Sequence, residues 1–407
     1  MKLEEHKKKL PDGWRWVKLS EICKGKGQYG TSKKASDNPN AIPVLRMGNI
    51  SNGRIDWSDL KYILMPQAEE EKYRLIKGDI LFNRTNSAEL VGKTAVFDGL
   101  QKAVFASYLI RFRVAEDRAE PFYLSAYINS AFGRSFIEAN MTRAIGQVNI
   151  NASIMEAMPI PLPPLDEQKR IAAILNEKME AVERSRQATL AQLEAAKTLP
   201  SAYLRAVFNN PEAQKWERKR LGDMCQIVAP QVDPKIKEYG VLPHVNGENI
   251  AGGVCRLLYL NTAAEDGMTS GKYLFDSGDV LYSKLRPYLR KAVFVDFQGL
   301  CSADMYPIKV NPNFLDPQFT TWMLVSDEFT KYADEESRRA RMPKLNREEL
   351  FAYNSPLPCL SEQKRIAADL NEKTAEVQKL HKALEEQLEA INKMPSAFLR
   401  QAFNGEL

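Results

Sequence analysis

The residues best suited to chemistry in this chain are cations set in polar loops, because each pattern that would announce catalysis is incomplete. Gly25-Lys26-Gly27-Gln28-Tyr29-Gly30 has the glycine spacing of a dinucleotide-binding loop. Such a loop should leave a buried strand and open a helix, whereas this one runs into TSKKASDNPN, a loop composition. Glu167-Gln168-Lys169 and Glu362-Gln363-Lys364 spell the Glu-x-Lys of some nucleases. No acidic partner is placed to complete a metal site, and glutamate suits the positive end of a helix without further purpose. The Asn-Pro-Pro-Tyr or Asp-Pro-Pro-Tyr that amino-methyltransferases set against a target base is absent; DNPNAI and NNPEAQ come nearest and lack the aromatic. Cys23, Cys225, Cys255, Cys301 and Cys359 are scattered without a CxxC, and the chain has only three histidines, His6, His244 and His381. Neither a structural zinc site nor a disulfide framework is indicated, and a reducing cytoplasm is the expected location. No catalytic residue and no metal ligand is assigned.

The cations point instead to phosphates and base edges, which Lys, Arg, Asn and Gln contact in nucleic acid. Two segments in each half of the chain carry them. Arg84 and Asn86 follow the apolar run Ile80-Leu81-Phe82, with Lys93 closing the loop. At the matching place in the second half stand Lys284, Arg286, Tyr288, Arg290 and Lys291. The other pair is Arg143, Gln147 and Asn149 against Arg338, Arg339, Arg341 and Lys344, the last group being the densest basic cluster in the chain. A weaker candidate is the Gly/Ser-rich loop holding Lys24, Lys26, Lys33 and Lys34. A solvated surface loop is the competing reading for each segment. The net charge of +5 is compatible with nucleic acid and does not establish it.

The elements that must position these loops are repeated. Residues 163–209 and 358–404 align at a constant offset of 195 with 26 of 47 pairs identical. That period is too long for a solenoid, so the chain reads as two similar halves. Weaker anchors keep their order outside the repeat: Trp14/Leu19 with Trp216/Leu221, Asn49-Ile50 with Asn249-Ile250, and Gly78-Asp79 with Gly278-Asp279. Each repeat opens on prolines, continues with Asp166 or Ser361 as an expected N-cap, and meets no further proline until Pro200 or Pro395. Between them Leu370, Thr374, Val377, His381, Leu384, Leu388 and Ile391 follow heptad spacing, as do Leu175, Met179, Val182, Arg186, Thr189, Leu193 and Ala196. Neither helix is stable alone with Arg186 or His381 on its seam, so the two are expected to pair antiparallel about a pseudo-twofold axis. A helix of about 32 residues spans roughly 48 Å, comparable to DNA half-sites roughly 34–36 Å apart. At 407 residues the chain can hold two ordinary domains. The N-terminus lacks the apolar core of a signal peptide, and no run reaches the roughly twenty apolar residues of a membrane helix.

PLPPLDEQKRIAAIL and PLPCLSEQKRIAADL, each closing a variable segment, together with the Trp-x4-Leu openings, KGDILF, SGDVLY and the final LRQAFNGEL, closely resemble the specificity subunits of type I DNA restriction–modification enzymes. The resemblance spans the whole chain. It implies an α+β fold with a target recognition domain over residues 1–162, a spacer helix over 163–209, a second recognition domain over 210–357 and a second spacer helix over 358–407. The two long repeated helices would form an antiparallel coiled coil. Each domain would read one half of a bipartite site in double-stranded DNA, while the helices set the spacer and dock two methyltransferase subunits. The chain itself would be non-catalytic and without a cofactor; S-adenosylmethionine, ATP and Mg would belong to methyltransferase and restriction/translocase partners. The recurring pairs Gln168/Gln363, Arg170/Arg365, Asn176/Asn371 and Lys178/Lys373 would offer equivalent docking faces, with ordinary solvated helix positions as the competing reading. A coiled-coil adaptor whose domains bind proteins is the rival functional class.

Overall fold

The computed structural model describes residues 10–51, 53–87, 90–144, 147–228, 230–337 and 343–407. They divide into two compact units, Met1–Ala188 with Leu388–Leu407, and Thr189–Gln387. Each unit therefore holds one globular domain, the first half of the helix that follows it, and the last half of the other long helix.

The globular domains are built alike around a strand buried on both faces. In unit 1, Ile80–Asn83 lies between Leu109–Phe112 and Thr94–Val96 in a four-stranded sheet completed by Gln28–Tyr29. Alternation sends Ile80 and Phe82 into the core beneath the helices and Leu81 into a second core on the opposite face. In unit 2 the order repeats, with Val280–Ser283 between Met305–Val310 and Ala292–Phe294, and Cys225–Ile227 at the edge. Val280 and Tyr282 face one core and Leu281 the other. The turn before each strand needs glycine, with φ of +89° at Gly78 and +96° at Gly278. The buried Asp79 and Asp279 carboxylates accept the backbone N–H of Ile76 and Asp276 at 3.0 and 2.9 Å. The recurring Asn49 and Asn249 are also buried clamps, each accepting from a backbone N–H three residues before it.

A two-stranded ribbon delivers the chain into each long helix. Arg15–Lys18 pairs with Pro159–Leu162, and Glu217–Arg220 with Asn354–Leu357. This explains the tryptophan–leucine openings: Leu19 and Leu221 are fully buried just past the ribbon, while Trp14 and Trp216 pack edge-on against Tyr123 and Phe319.

The helices run Leu165–Phe208 and Leu360–Asn404, 44 and 45 residues. Asp166 and Ser361 lie inside the first turn and are not the caps, because the helical bonds already begin with Gln168 N–H to the Pro164 carbonyl and Gln363 N–H to the Cys359 carbonyl. Nor do Pro200 and Pro395 end the helices. A mid-helix proline costs about 3 kcal/mol. Packing beyond it opposes that cost: Leu204 and Phe208 join the core of unit 2, Leu399 and Ala402 that of unit 1. The heptad seam holds throughout, every named position being buried or half-buried. Arg186 and His381 sit on it with carboxylate neighbours, Glu183 and Glu385.

Pairing within each unit is antiparallel. In unit 1, Arg170 donates to the Leu407 carbonyl at 2.8 Å and Lys178 covers the Phe398 ring. In unit 2, Gln387 donates to the Thr189 hydroxyl at 3.3 Å and Lys373 covers the Tyr203 ring. Lys178/Lys373 and Phe398/Tyr203 are equivalent positions of the repeat, so one contact is made in both units.

Gln168 and Gln363 are 1% and 0% exposed, which removes them from the expected docking set. Gln168 accepts from the Glu120 N–H at 3.0 Å and donates to the Pro163 and Arg118 carbonyls at 2.9 and 3.3 Å. Gln363 does the same with Asp316 N–H, Pro358 and Phe314 at 2.8, 2.9 and 2.8 Å. Each amide ties a helix start to its domain. Replacing Gln168 with alanine leaves three backbone groups without this partner, the Pro163 carbonyl among them buried, and should destabilise the protein by about 2 kcal/mol. Thermal unfolding checks this, and an unchanged midpoint would mean that water substitutes for the amide.

Candidate nucleic-acid interface

The two cation-bearing segments of each domain, about 60 residues apart in the chain, are brought together by antiparallel pairing at corresponding residues, a short ladder in the first domain and a single bridge in the second. In the first domain Thr85–Asn86 pairs with Gln147–Asn149, Asn149 opposite Thr85, and Ile150 N–H donates to the Arg84 carbonyl at 3.0 Å. In the second, Leu285 bridges to Lys344 and Leu345 N–H donates to the Lys284 carbonyl at 3.0 Å. These are corresponding residues of the two halves. Each junction sits just past the end of the central buried strand, which is how a rigid core presents a variable loop.

The side chains at the two junctions differ. In the first domain Arg84 is half-buried and its guanidinium lies over the Tyr29 ring, 4.7 Å from the centroid. Tyr29 is itself fixed, its hydroxyl accepting from Ala152 N–H at 3.0 Å. Asn149 accepts from the Thr85 hydroxyl at 3.2 Å, and Arg143 is exposed opposite Val148 in the ladder. Asn86 and Gln147 occupy the strands, but their side chains are not described. Lys93 is half-buried behind the loop, its carbonyl accepting from Asn83 N–H at 2.9 Å. Lys33 is paired with Glu69, whereas Lys34 is exposed with no carboxylate partner among the described residues.

In the second domain Lys284 is buried, donates to the Ala303 carbonyl and lies over the Tyr306 ring. Burial holds its ammonium below the ordinary lysine value, with repulsion from Lys344 adding to the effect. It has no surface to offer and leaves the candidate set. Arg290 is tied to Asp327 at 2.6 Å and Lys291 donates to the Gly247 carbonyl, so both act as braces. What they brace is a tip at Pro287–Leu289, flanked by Arg286 and Arg290 with φ of +51° and +50°. Gly253 N–H donates to the Arg290 carbonyl at 2.8 Å and Arg286 N–H to the Pro343 carbonyl at 2.9 Å. Arg286, Tyr288 and Lys344 remain exposed, Tyr288 by 51%. Arg338, Arg339 and Arg341 lie outside the described residues.

Two exposed residues at these sites escaped sequence reasoning. Tyr108 accepts the Arg84 N–H through its carbonyl and is half exposed, and Leu289 shares the braced tip with Tyr288. Nothing in their local sequence distinguishes them from core residues. The glycine pattern at 25–30 is a packing device: a Cβ at Gly30 would meet the Phe105 carbonyl oxygen at 2.2 Å, and one at Gly27 the Phe112 ring at 2.7 Å. Glu167 and Glu362 bind Arg170 and Arg365 three residues on, and no acidic, His or Cys group able to hold a metal occurs among the described residues.

The expected docking residues are mostly committed within their own units. Asn371 accepts from Trp322 Nε1 at 2.9 Å and donates to Gln318 at 2.6 Å. Asn176 accepts from Arg54 at 3.1 Å. Arg170 and Arg365 keep substantial exposure beside their glutamates. No helix among the described residues is long and apolar enough to cross a membrane.

The family model for the type I restriction modification DNA specificity domain matches residues 11–195 and again 213–390. The chain is 25% identical to the type I restriction enzyme EcoDI specificity subunit of Escherichia coli, over 98% of this chain and 90% of that one. It is 27% identical to the putative MjaX specificity subunit of Methanocaldococcus jannaschii, over 89% and 87%. In fold it is similar to the HsdS subunit from Thermoanaerobacter tengcongensis, with a TM-score of 0.64 and 24% identity across the full length of both chains. A chain from a type I restriction–modification system gives 0.69 at 24% identity over 98% of this chain and 100% of that one. With both halves matched, this chain belongs to the type I restriction modification DNA specificity family, as a specificity subunit with two target recognition domains joined through paired long helices.

Proposed function

We propose that this subunit reads a bipartite site in double-stranded DNA, each recognition domain contacting one half. The observation that carries the reading is the repeated junction: antiparallel pairing at corresponding residues gathers cations from distant segments in both domains, and the two domains then differ in which residues they expose. A shared frame with different contact residues is what reading two unlike half-sites requires. Phosphate contacts would fix position, and Arg, Asn and Gln at base edges would give sequence. The paired helices set the spacer and dock two methyltransferase subunits, with Arg170 and Arg365 left to offer equivalent contacts. S-adenosylmethionine, ATP and Mg belong to the methyltransferase and restriction partners, and the complex works in the cytoplasm.

The test is a methylome. The chain is expressed with a cognate methyltransferase in a methylation-free host, and modified adenines are mapped. A split motif, methylated on opposite strands in its two halves, is expected. No methylation from an assembled complex would favour a protein-binding adaptor.

Removing one heptad from each long helix should change the spacer and preserve both half-sites; altered half-sites with the old spacer would refute the spacing role. Arg286→Ala or Lys344→Ala should weaken binding and, for each lost phosphate contact, lower the salt-dependence slope by about 1. Lys284→Met, at a buried position, should leave that slope unchanged, and fluorescence anisotropy across a salt series separates the cases.

A further inference from the structure

We propose that Arg84 is a guanine-reading side chain of the first recognition domain, an inference that rests on the DNA-reading assignment above. Three features combine at Arg84, whereas Arg46, Arg74 and Arg111 of the same domain each pair with a carboxylate. Its backbone is held on both sides, N–H to the Tyr108 carbonyl at 3.1 Å and carbonyl from Ile150 N–H at 3.0 Å. Its guanidinium is stacked 4.7 Å from the centroid of Tyr29, a ring itself pinned through its hydroxyl and its strand pairing with Ile110. Its Nε is buried with no hydrogen-bond partner, and no carboxylate pairs with it among the described residues.

A phosphate needs only charge, which an exposed lysine such as Lys34 supplies. A guanidinium already immobilised on an aromatic face loses little entropy on binding and can discriminate by direction. Its fork carries donors only. In the major groove guanine alone places two acceptors, O6 and N7, side by side, whereas adenine offers one acceptor beside a donor and thymine one beside a methyl. The remaining open end of the Arg84 fork therefore selects guanine.

The matching position of the second domain cannot act the same way, since Lys284 is turned inward onto the Ala303 carbonyl. The effect of changing Arg84 is thus confined to one half-site, and the other half serves as an internal control of folding and assembly.

The experiment compares methylomes of complexes assembled with wild-type chain, Arg84→Ala and Arg84→Lys. One G·C position in one half-site should relax, with discrimination there falling about tenfold in Arg84→Ala. Arg84→Lys keeps the charge and the ladder and should relax the same position without loss of overall binding. Uniform weakening across all positions of that half, with a reduced salt slope, would make Arg84 a phosphate clamp and overturn the proposal. An unchanged motif in both variants would overturn it as well. If the wild-type complex yields no split motif, the DNA-reading assignment fails irrespective of Arg84.

Discussion

A long helix that leaves a globular domain must satisfy the backbone groups exposed at the point of departure, and the rest of this chain depends on how that is done. One buried amide per unit ties that point of departure to the domain. Gln168 and Gln363 each join a carbonyl two residues before the helix, a carbonyl of the domain, and the N–H of the residue that caps a short helix of that domain. With every polar atom of the amide engaged and out of water, the direction in which the helix leaves its domain is set by hydrogen-bond geometry. The two-stranded ribbon and the tryptophan behind it then make that junction part of the core.

Beyond the junction, the two domains show what duplication preserves when function diverges. The turn at Gly78-Asp79, the strand buried on both faces, the ladder at residues 85 and 149 and their counterparts at 278–279, 280–283, 285 and 344 all recur. These are positions where backbone geometry or burial leaves little choice. One residue past the buried strand the constraint ends, and the same site holds a stacked, half-exposed arginine in one domain and an inward lysine in the other. The second domain instead projects a tip whose flanking left-handed residues cost energy and are held by four separate braces.

Much of the frame was legible beforehand. The repeat gave the helices and their seam because heptad spacing is a local property, and the glycine–aspartate turns and apolar strands were readable for the same reason. The helix ends were not: Pro200 and Pro395 are local stop signals overruled by apolar residues beyond them that reach a domain core. The docking set was partly misjudged because recurrence in sequence cannot separate a residue kept for a partner from one kept for its own domain, as Gln168 and Asn371 show.

The sequence by itself determined that the chain is duplicated, that its halves share a frame, and that cations rather than catalytic groups are its chemical resource. Only the tertiary structure decided which cations remain available. Lys284, Arg290 and Lys291 look equivalent to Arg286 in a string of letters, yet three are spent on a carbonyl, a carboxylate and a carbonyl within the domain. Their partners lie 19 to 44 residues away. Whether a charge is spent internally or left for a ligand depends on such long-range neighbours, and these exist only once the chain has folded.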